Sequence, residues 1–155
     1  MVGFGYDIHR LEEGRKLILG GIEIESNLGV VAHSDGDVLL HSLIDAILGA
    51  SGLGDIGEHF PDTDNQYKGI SSVELLKRTL ELIKSYKIVN VDCMIILEKP
   101  KIKDYKPLIK KNLADLLKIS ESRVNIKAGT NEKLDALGRA EGCAVYTVVM
   151  IEDMF

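Results

Sequence analysis

The sequence has little with which to hold itself together other than an ordinary core. Only 2 residues are cysteine and 3 are proline. Cys93 and Cys143 sit inside separate apolar, strand-like runs with no CxxC spacing. Neither a disulfide framework nor a thiolate metal site is expected, and buried thiols in a reducing compartment fit better. No apolar run approaches the ~20 residues a membrane helix needs. The stretch Met1–Tyr6 has no basic segment leading into a long apolar one, so no signal peptide is read and a cytoplasmic location is expected. Basic charge is in deficit: 19 Lys plus Arg stand against 24 Asp plus Glu, a net charge of −5. That excludes a broad basic face of the kind nucleic acids require. Internal repeats, low-complexity tracts and Ser/Pro-rich linkers are also missing.

What is present is the composition of a globular domain. Hydrophobic residues make up 45% of 155. A chain of this size can bury ~68–70% of its unfolded surface in one core, so a single domain over residues 1–155 is expected.

Periodicity orders the elements. Val2 to Ile8 reads as a strand, and Leu17–Leu19 with Ile22–Ile24 as two short strands around Gly20-Gly21. Leu40, Leu43, Ile44, Ile47 and Leu48 recur at helical spacing, which predicts a helix from Asp37 to Leu48 with Asp37 as its cap. Leu53 to Lys68 has no period and reads as a long loop, a type that is often functional. Ser71-Ser72-Val73-Glu74 is a capping box opening a second helix that runs to about Tyr86 with Val73, Leu76, Leu80 and Ile83 as its stripe. Val89, Val91, Cys93, Ile95 and Leu97 alternate as a strand. A third helix spans about Tyr105 to Leu117, and strands cover Val124–Ala128 and Gly142–Ile151. Helices interleaved with strands predict an α/β (α+β) fold, a mixed sheet with helices packed on one side.

Several clusters can carry chemistry. Asp7 and His9 are two apart on a strand and so share a face, which can bring a carboxylate oxygen and an imidazole nitrogen to one point. Asp-x-His also occurs without any metal. Asp37, His41 and Asp45 step by four along the first helix, forming either a solvated face or a third ligand with carboxylates to hold its second nitrogen. Together Asp7, His9 and His41 make a three-ligand set with one open position. His33-Ser34-Asp35-Gly36 enters that helix at its N-terminus, where backbone N–H groups attract phosphate, though a plain capping loop would look the same. Gly54-Asp55-Ile56-Gly57 and Phe60-Pro61-Asp62-Thr63-Asp64 offer carboxylates to hydroxyls, or serve only as turns. Thr130-Asn131-Glu132 ends a strand with a hydroxyl, an amide and a hard oxygen ligand for Mg²⁺ or Mn²⁺. Lys99, Lys101 and Lys103 form a basic loop after another strand, facing either an anion or solvent.

In this order the segments resemble the 2-C-methyl-D-erythritol 2,4-cyclodiphosphate synthase family. The matching strings are Gly5-Tyr6-Asp7-Ile8-His9, Ala32 through His41, Leu53 through Gly57, Phe60 through Asp64, Thr130 through Leu134, and Gly138-Arg139. The resemblance spans the chain. It implies a homotrimer around a sheet-lined core, with active sites between subunits. It implies cyclisation of 4-diphosphocytidyl-2-C-methyl-D-erythritol 2-phosphate to a cyclic diphosphate with release of CMP.

On this resemblance Asp7, His9 and His41 would bind Zn²⁺, with a substrate phosphate as fourth ligand. His33 and Ser34 would hold phosphate, and His33 and Thr130 would stabilise the transition state. Asp55, Ile56 and Gly57, then Phe60, Pro61, Asp62, Thr63 and Asp64, would cradle the methylerythritol. Glu132 would bind a second divalent ion, Mg²⁺ or Mn²⁺, bridging the diphosphate. Leu97, Lys101, Ile102 and Lys103 with Gly129, Thr130, Asn131 and Glu132 would form the cytidine pocket contributed by a neighbouring subunit. Ala136 and Arg139 would contact substrate, Ala136 at the position where a family aromatic borders a central apolar channel. Two departures stand out: Gly129 replaces a frequent Thr or Ala, and Asp135-Ala136 replaces a frequent Gly-Phe pair. Two other readings are a metal-dependent nucleotide phosphohydrolase and a non-catalytic module with a structural zinc. The latter needs a fourth protein ligand that the strand-bound cysteines are poorly placed to give.

Overall fold

Alternation in the first strand sets the architecture. In the computed structural model, which describes residues 1–155, strand β1 runs Val2–Glu13. Residues two apart share a face, so Gly3, Gly5, Asp7, His9 and Leu11 point one way and Val2, Phe4, Tyr6 and Ile8 the other. The strand is longer than its apolar run because it changes partner. It pairs antiparallel with β7 (Gly142–Asp153) from Val2↔Met150 to Arg10↔Gly142, then with β4 (Leu28–Val30) from Leu11↔Val30. Strand β4 has only three residues, too few for a period to reveal.

The main sheet has the order β4-β1-β7-β5-β6, with β5 (Tyr86–Ile96) antiparallel to β7 and β6 (Val124–Gly129) parallel to β5. It is therefore mixed, as expected. The predicted hairpin β2 (Leu17–Leu19) and β3 (Ile22–Ile24) forms a separate two-stranded sheet. The helices are α1 (Val38–Ala50), α2 (Ile56–His59), α3 (Ser72–Leu82), α4 (Lys106–Leu117) and α5 (Asp135–Gly138). Helix α3 stops short of Tyr86 because Ile83, whose apolar side chain extends the helical stripe, is the capping residue. The apolar alternation expected from Val89 onward is broken by a bulge between Ile88 and Asn90, which turns Ile88 inward instead.

The core is one contiguous cluster of 33 buried residues, so the chain has one hydrophobic unit. Helix α1 is its centre, with Leu39, Leu40, Leu43, Ile44, Ile47 and Leu48 fully buried. Two glycines let it lie directly on β1. A Cβ on Gly3 would stand 1.8 Å from the Ala46 carbonyl oxygen, and one on Gly5 would stand 1.8 Å from that of Ser42. Ser42 Oγ meets Thr147 Oγ1 at 2.6 Å, so the buried polar pair between helix and sheet is satisfied. No helix is long and apolar enough to cross a membrane.

The opposite face of the sheet carries no helix. Val2, Phe4, Tyr6 and Ile8 on β1 and Tyr146, Val148 and Met150 on β7 are between 41% and 66% exposed there. They form a continuous patch, because Val2↔Met150, Phe4↔Val148 and Tyr6↔Tyr146 are direct partners.

Candidate active site

The inner face of β1 supplies the floor of the site. Close packing of α1 brings His41 against Asp7 and His9. His9 Nε2 lies 3.1 Å from Asp7 Oδ2, and His41 Nδ1 lies 3.3 Å from the same oxygen. One ligand atom from each residue falls within 4.8 Å of the other two. Asp7 Oδ2 is buried, yet neither ring gives it a hydrogen bond of normal geometry. Three ligand atoms gathered around a common point can hold a cation. One carboxylate and two imidazoles is also the donor count of a catalytic divalent centre, which leaves a position for substrate.

The electrostatics agree. Burial pushes the Asp7 carboxyl up, but the adjacent His41 and His9 rings, when they carry protons, hold it below the usual carboxylate range. The same carboxylate raises His9 above the ordinary imidazole range, against the opposing effect of burial. A cation entering the cluster therefore competes with a proton on His9.

Neither carboxylate of the helical stripe holds the second nitrogen of His41. Asp37 is fully buried and caps α1, taking N–H groups from Leu40, Gly20 and Gly21. Asp45 accepts from the Ile56 N–H at 2.9 Å and hangs α2 on α1. The partner of His41 Nε2 is Ser72 Oγ at 2.9 Å, and Asp35 binds both the hydroxyl and the N–H of Ser72. Sequence reading assigned Ser72 only to a capping box, in which Ser71 is the residue that caps, accepting from the Glu74 N–H.

Above the cluster opens a cleft of about 960 Å³. Of the expected substrate residues, His33, Ser34, Ile56, Gly57, Phe60, Pro61, Asp62 and Thr63 line it together with Asp7 and His9. The long loop is more ordered than its lack of period suggested. Asp55 caps α2 at the Glu58 N–H, and Asp64 caps a 3₁₀ turn over Asn65–Tyr67. Asp55 and Asp64 are thus engaged in turn formation and are not on the cleft wall. Phe60 packs edge-on against Tyr67 at 5.4 Å between ring centres. Arg15 and Lys68 also line the cleft. No motif marked either; a lone cation beside a glycine carries no spacing signal.

The remaining expected residues gather elsewhere, after the C-terminal ends of the parallel pair β5 and β6. Leu97 and Ile102 are buried in the core. Lys101, Lys103, Thr130, Glu132, Ala136 and Arg139 are exposed, Gly129 and Asn131 are half-buried, and none lines the cleft. Glu132, Lys133 and Asp135 adopt left-handed φ of 53°, 61° and 60°. Glycine adopts that conformation more readily than any other residue. Thr130 Oγ1 accepts the Glu132 N–H at 3.3 Å, and Arg139 pairs with Glu141.

Comparison with known proteins follows the same outline. The YgbB family model matches residues 1–152. A protein of Brachyspira hyodysenteriae named 2-C-methyl-D-erythritol 2,4-cyclodiphosphate synthase is 53% identical over 153 residues, covering 97% of each chain. One of the same name from Clostridium acetobutylicum is 55% identical over 152 residues, 97% of this chain and 98% of that one. The solved structure of the bifunctional IspDF from Campylobacter jejuni superposes with a TM-score of 0.94 at 46% identity, covering 99% of this chain and 42% of that longer protein. The chain belongs to the YgbB family of 2-C-methyl-D-erythritol 2,4-cyclodiphosphate synthases.

Proposed function

We propose that residues 1–155 act as one cyclodiphosphate synthase domain, a phosphorus–oxygen lyase of non-mevalonate isoprenoid precursor biosynthesis in the cytoplasm. Its substrate is 4-diphosphocytidyl-2-C-methyl-D-erythritol 2-phosphate. An oxygen of the 2-phosphate attacks the β-phosphorus, the bond from that phosphorus to the CMP oxygen breaks, and CMP leaves with the electron pair. The observation that carries this reading is the convergence of Asp7, His9 and His41 on the floor of the cleft, in a chain 53% and 55% identical to named synthases.

Asp7, His9 and His41 would hold Zn²⁺, and Glu132 a second divalent ion, Mg²⁺ or Mn²⁺. When bound, these ions supply positive charge at the attacked and leaving phosphate oxygens. The nucleophile is already an anion at neutral pH, so the protein needs no strong base. Ser34 Oγ accepts the Gly36 N–H at 3.3 Å, which leaves its own proton for a phosphate oxygen. His33, Arg15 and Lys68 add donors on the same wall. Ile56, Gly57 and Phe60 to Thr63 bend the flexible methylerythritol into a ring-forming geometry. Orientation of this kind can lower an intramolecular barrier by ~7–11 kcal/mol. Thr130 and His33 act on the transition state, and Lys101, Lys103 and the 129–132 segment hold the cytidine.

Those two halves do not meet within one chain. The reading therefore includes a homotrimer in which a neighbour brings its 97–103 and 129–132 segments to this cleft. The exposed apolar patch on β1 and β7 supports it, since contiguous patches of this kind mark interaction surfaces. Ala136 would border the centre of that assembly, and Arg139 would contact substrate.

Phosphorus NMR after incubation with the cytidine substrate tests the reading in ¹⁸O-labelled water. Expected are a cyclic diphosphate and CMP, both without label. A linear product carrying ¹⁸O would instead identify a phosphohydrolase.

A further inference from the structure

Proton accounting around His41 leads beyond the three ligand residues. His41 presents Nδ1 to Asp7 and Nε2 to the Ser72 hydroxyl, at 3.3 and 2.9 Å. Ser72 is fully buried at the first turn of α3, and its Oγ also contacts Asp35 Oδ1. A carboxylate only accepts, so the Ser72 proton goes to Asp35. Ser72 Oγ then has lone pairs alone to offer His41, and Nε2 must carry the ring proton. A directed chain results, from His41 Nε2–H to Ser72 Oγ–H to Asp35, and it leaves Nδ1 bare on the side of Asp7 and His9. Asp35 is itself fixed, because it accepts the N–H groups of Ser72 at 2.9 Å and Asp37 at 3.2 Å.

We propose that Ser72, oriented by Asp35, is a positioning residue that sets the tautomer of His41 and makes Nδ1 its ligand atom. The proposal rests on the reading of Asp7, His9 and His41 as a metal site. It gives the family-like His33-Ser34-Asp35 segment a second task, since the loop that lines the cleft also orients a ligand on its floor. Supporting partners of ligand histidines typically contribute 10–100-fold in metal affinity.

The test titrates Zn²⁺ into metal-free protein against a chromophoric chelator and reads the His41 ring by ¹⁵N NMR. Ser72→Ala is expected to lose 10–100-fold in Zn²⁺ affinity and to shift His41 from the Nε2–H tautomer to a mixture. Asp35→Asn is expected to weaken binding in the wild type and to add nothing in the Ser72→Ala background, because it acts through the hydroxyl. His41→Ala serves as the control for the metal site. Ser72→Ala with wild-type affinity, beside a His41→Ala protein that has lost the metal, overturns the proposal and leaves the metal site standing. Losses that multiply in the double variant, or an unchanged tautomer in Ser72→Ala, overturn it as well, since both mark a merely structural role. Wild-type affinity in His41→Ala overturns the metal site and the proposal with it.

Discussion

Gly5 and Ser42 touch backbone to backbone: a Cβ on Gly5 would lie 1.8 Å from the Ser42 carbonyl oxygen and 2.8 Å from the Ala46 nitrogen. This contact, with its neighbour at Gly3, sets how near α1 comes to β1, and hence how near His41 comes to Asp7.

Gly5→Ala must therefore push the helix away. Overpacking against rigid backbone costs about 3 kcal/mol or more, and the displaced His41 should weaken Zn²⁺ binding in parallel. Gly49, in the last turn of the same helix, has only the Phe4 carbonyl at 3.9 Å near its would-be Cβ, so Gly49→Ala should gain up to ~1 kcal/mol from helix propensity. Urea unfolding of both variants checks the pair; equal stabilities would contradict the role given to Gly5.

His41→Ala leaves the cluster with Asp7 and His9 alone. Zinc affinity should fall by more than the 10–100-fold that a supporting partner contributes, and CMP release should stop. Metal analysis after dialysis, alongside a CMP assay, reads both. Full activity in zinc-free His41→Ala protein would sink the assignment.

Glu132 is exposed, its backbone is left-handed at φ 53°, and its carboxylate makes no hydrogen bond within this chain. Glu132→Gln should raise the Mg²⁺ concentration needed for half-maximal CMP release by tenfold or more, about 1.4 kcal/mol, while zinc content stays at the wild-type level. An unchanged Mg²⁺ titration would count against the second ion at this position.

Asp37 links stability to pH. Burial pushes its carboxyl up to about 6, although the N–H groups of Leu40, Gly21 and Gly20 favour the charged form. Between the ordinary value of 3.8 and about 6, the folded protein keeps a proton that the unfolded chain has released. This group's contribution is thus present below pH ~4 and is lost as pH rises through 6, on the order of 3 kcal/mol. Asp37→Asn cannot titrate and leaves one N–H without an acceptor, at about 1–3 kcal/mol. The stability advantage of wild type over Asp37→Asn should fall by about 3 kcal/mol from pH 4 to pH 7, closing or reversing, as measured by denaturant unfolding of metal-free protein. A constant gap would place the Asp37 pKa near its ordinary value.

Much of the site was legible because periodicity reports direction. The two-residue repeat of β1 put Asp7 and His9 on one face, and the helical repeat of α1 put His41 on a polar stripe. The same reasoning misassigned the partners of that stripe. Asp37 and Asp45 share a helix face with His41, but each is taken by backbone N–H groups of another segment, Gly20 and Gly21 for one and Ile56 for the other. Hydrogen bonds of high sequence separation, such as Ser72 to Asp35 and His41 to Ser72, have no repeat to announce them.

The sequence by itself determined the mixed sheet and its helices, the shared face of Asp7 and His9, the polar stripe that carries His41, and the string of motifs that lines most of the cleft. These follow from local alternation, capping residues and motif order. Only the tertiary structure decided which carboxylate serves which donor, that Arg15 and Lys68 enter the cleft, and that the segments after β5 and β6 stay outside it. Those outcomes depend on where distant backbone groups come to rest once the glycines of β1 admit α1, and a buried donor takes the nearest acceptor in space rather than in sequence.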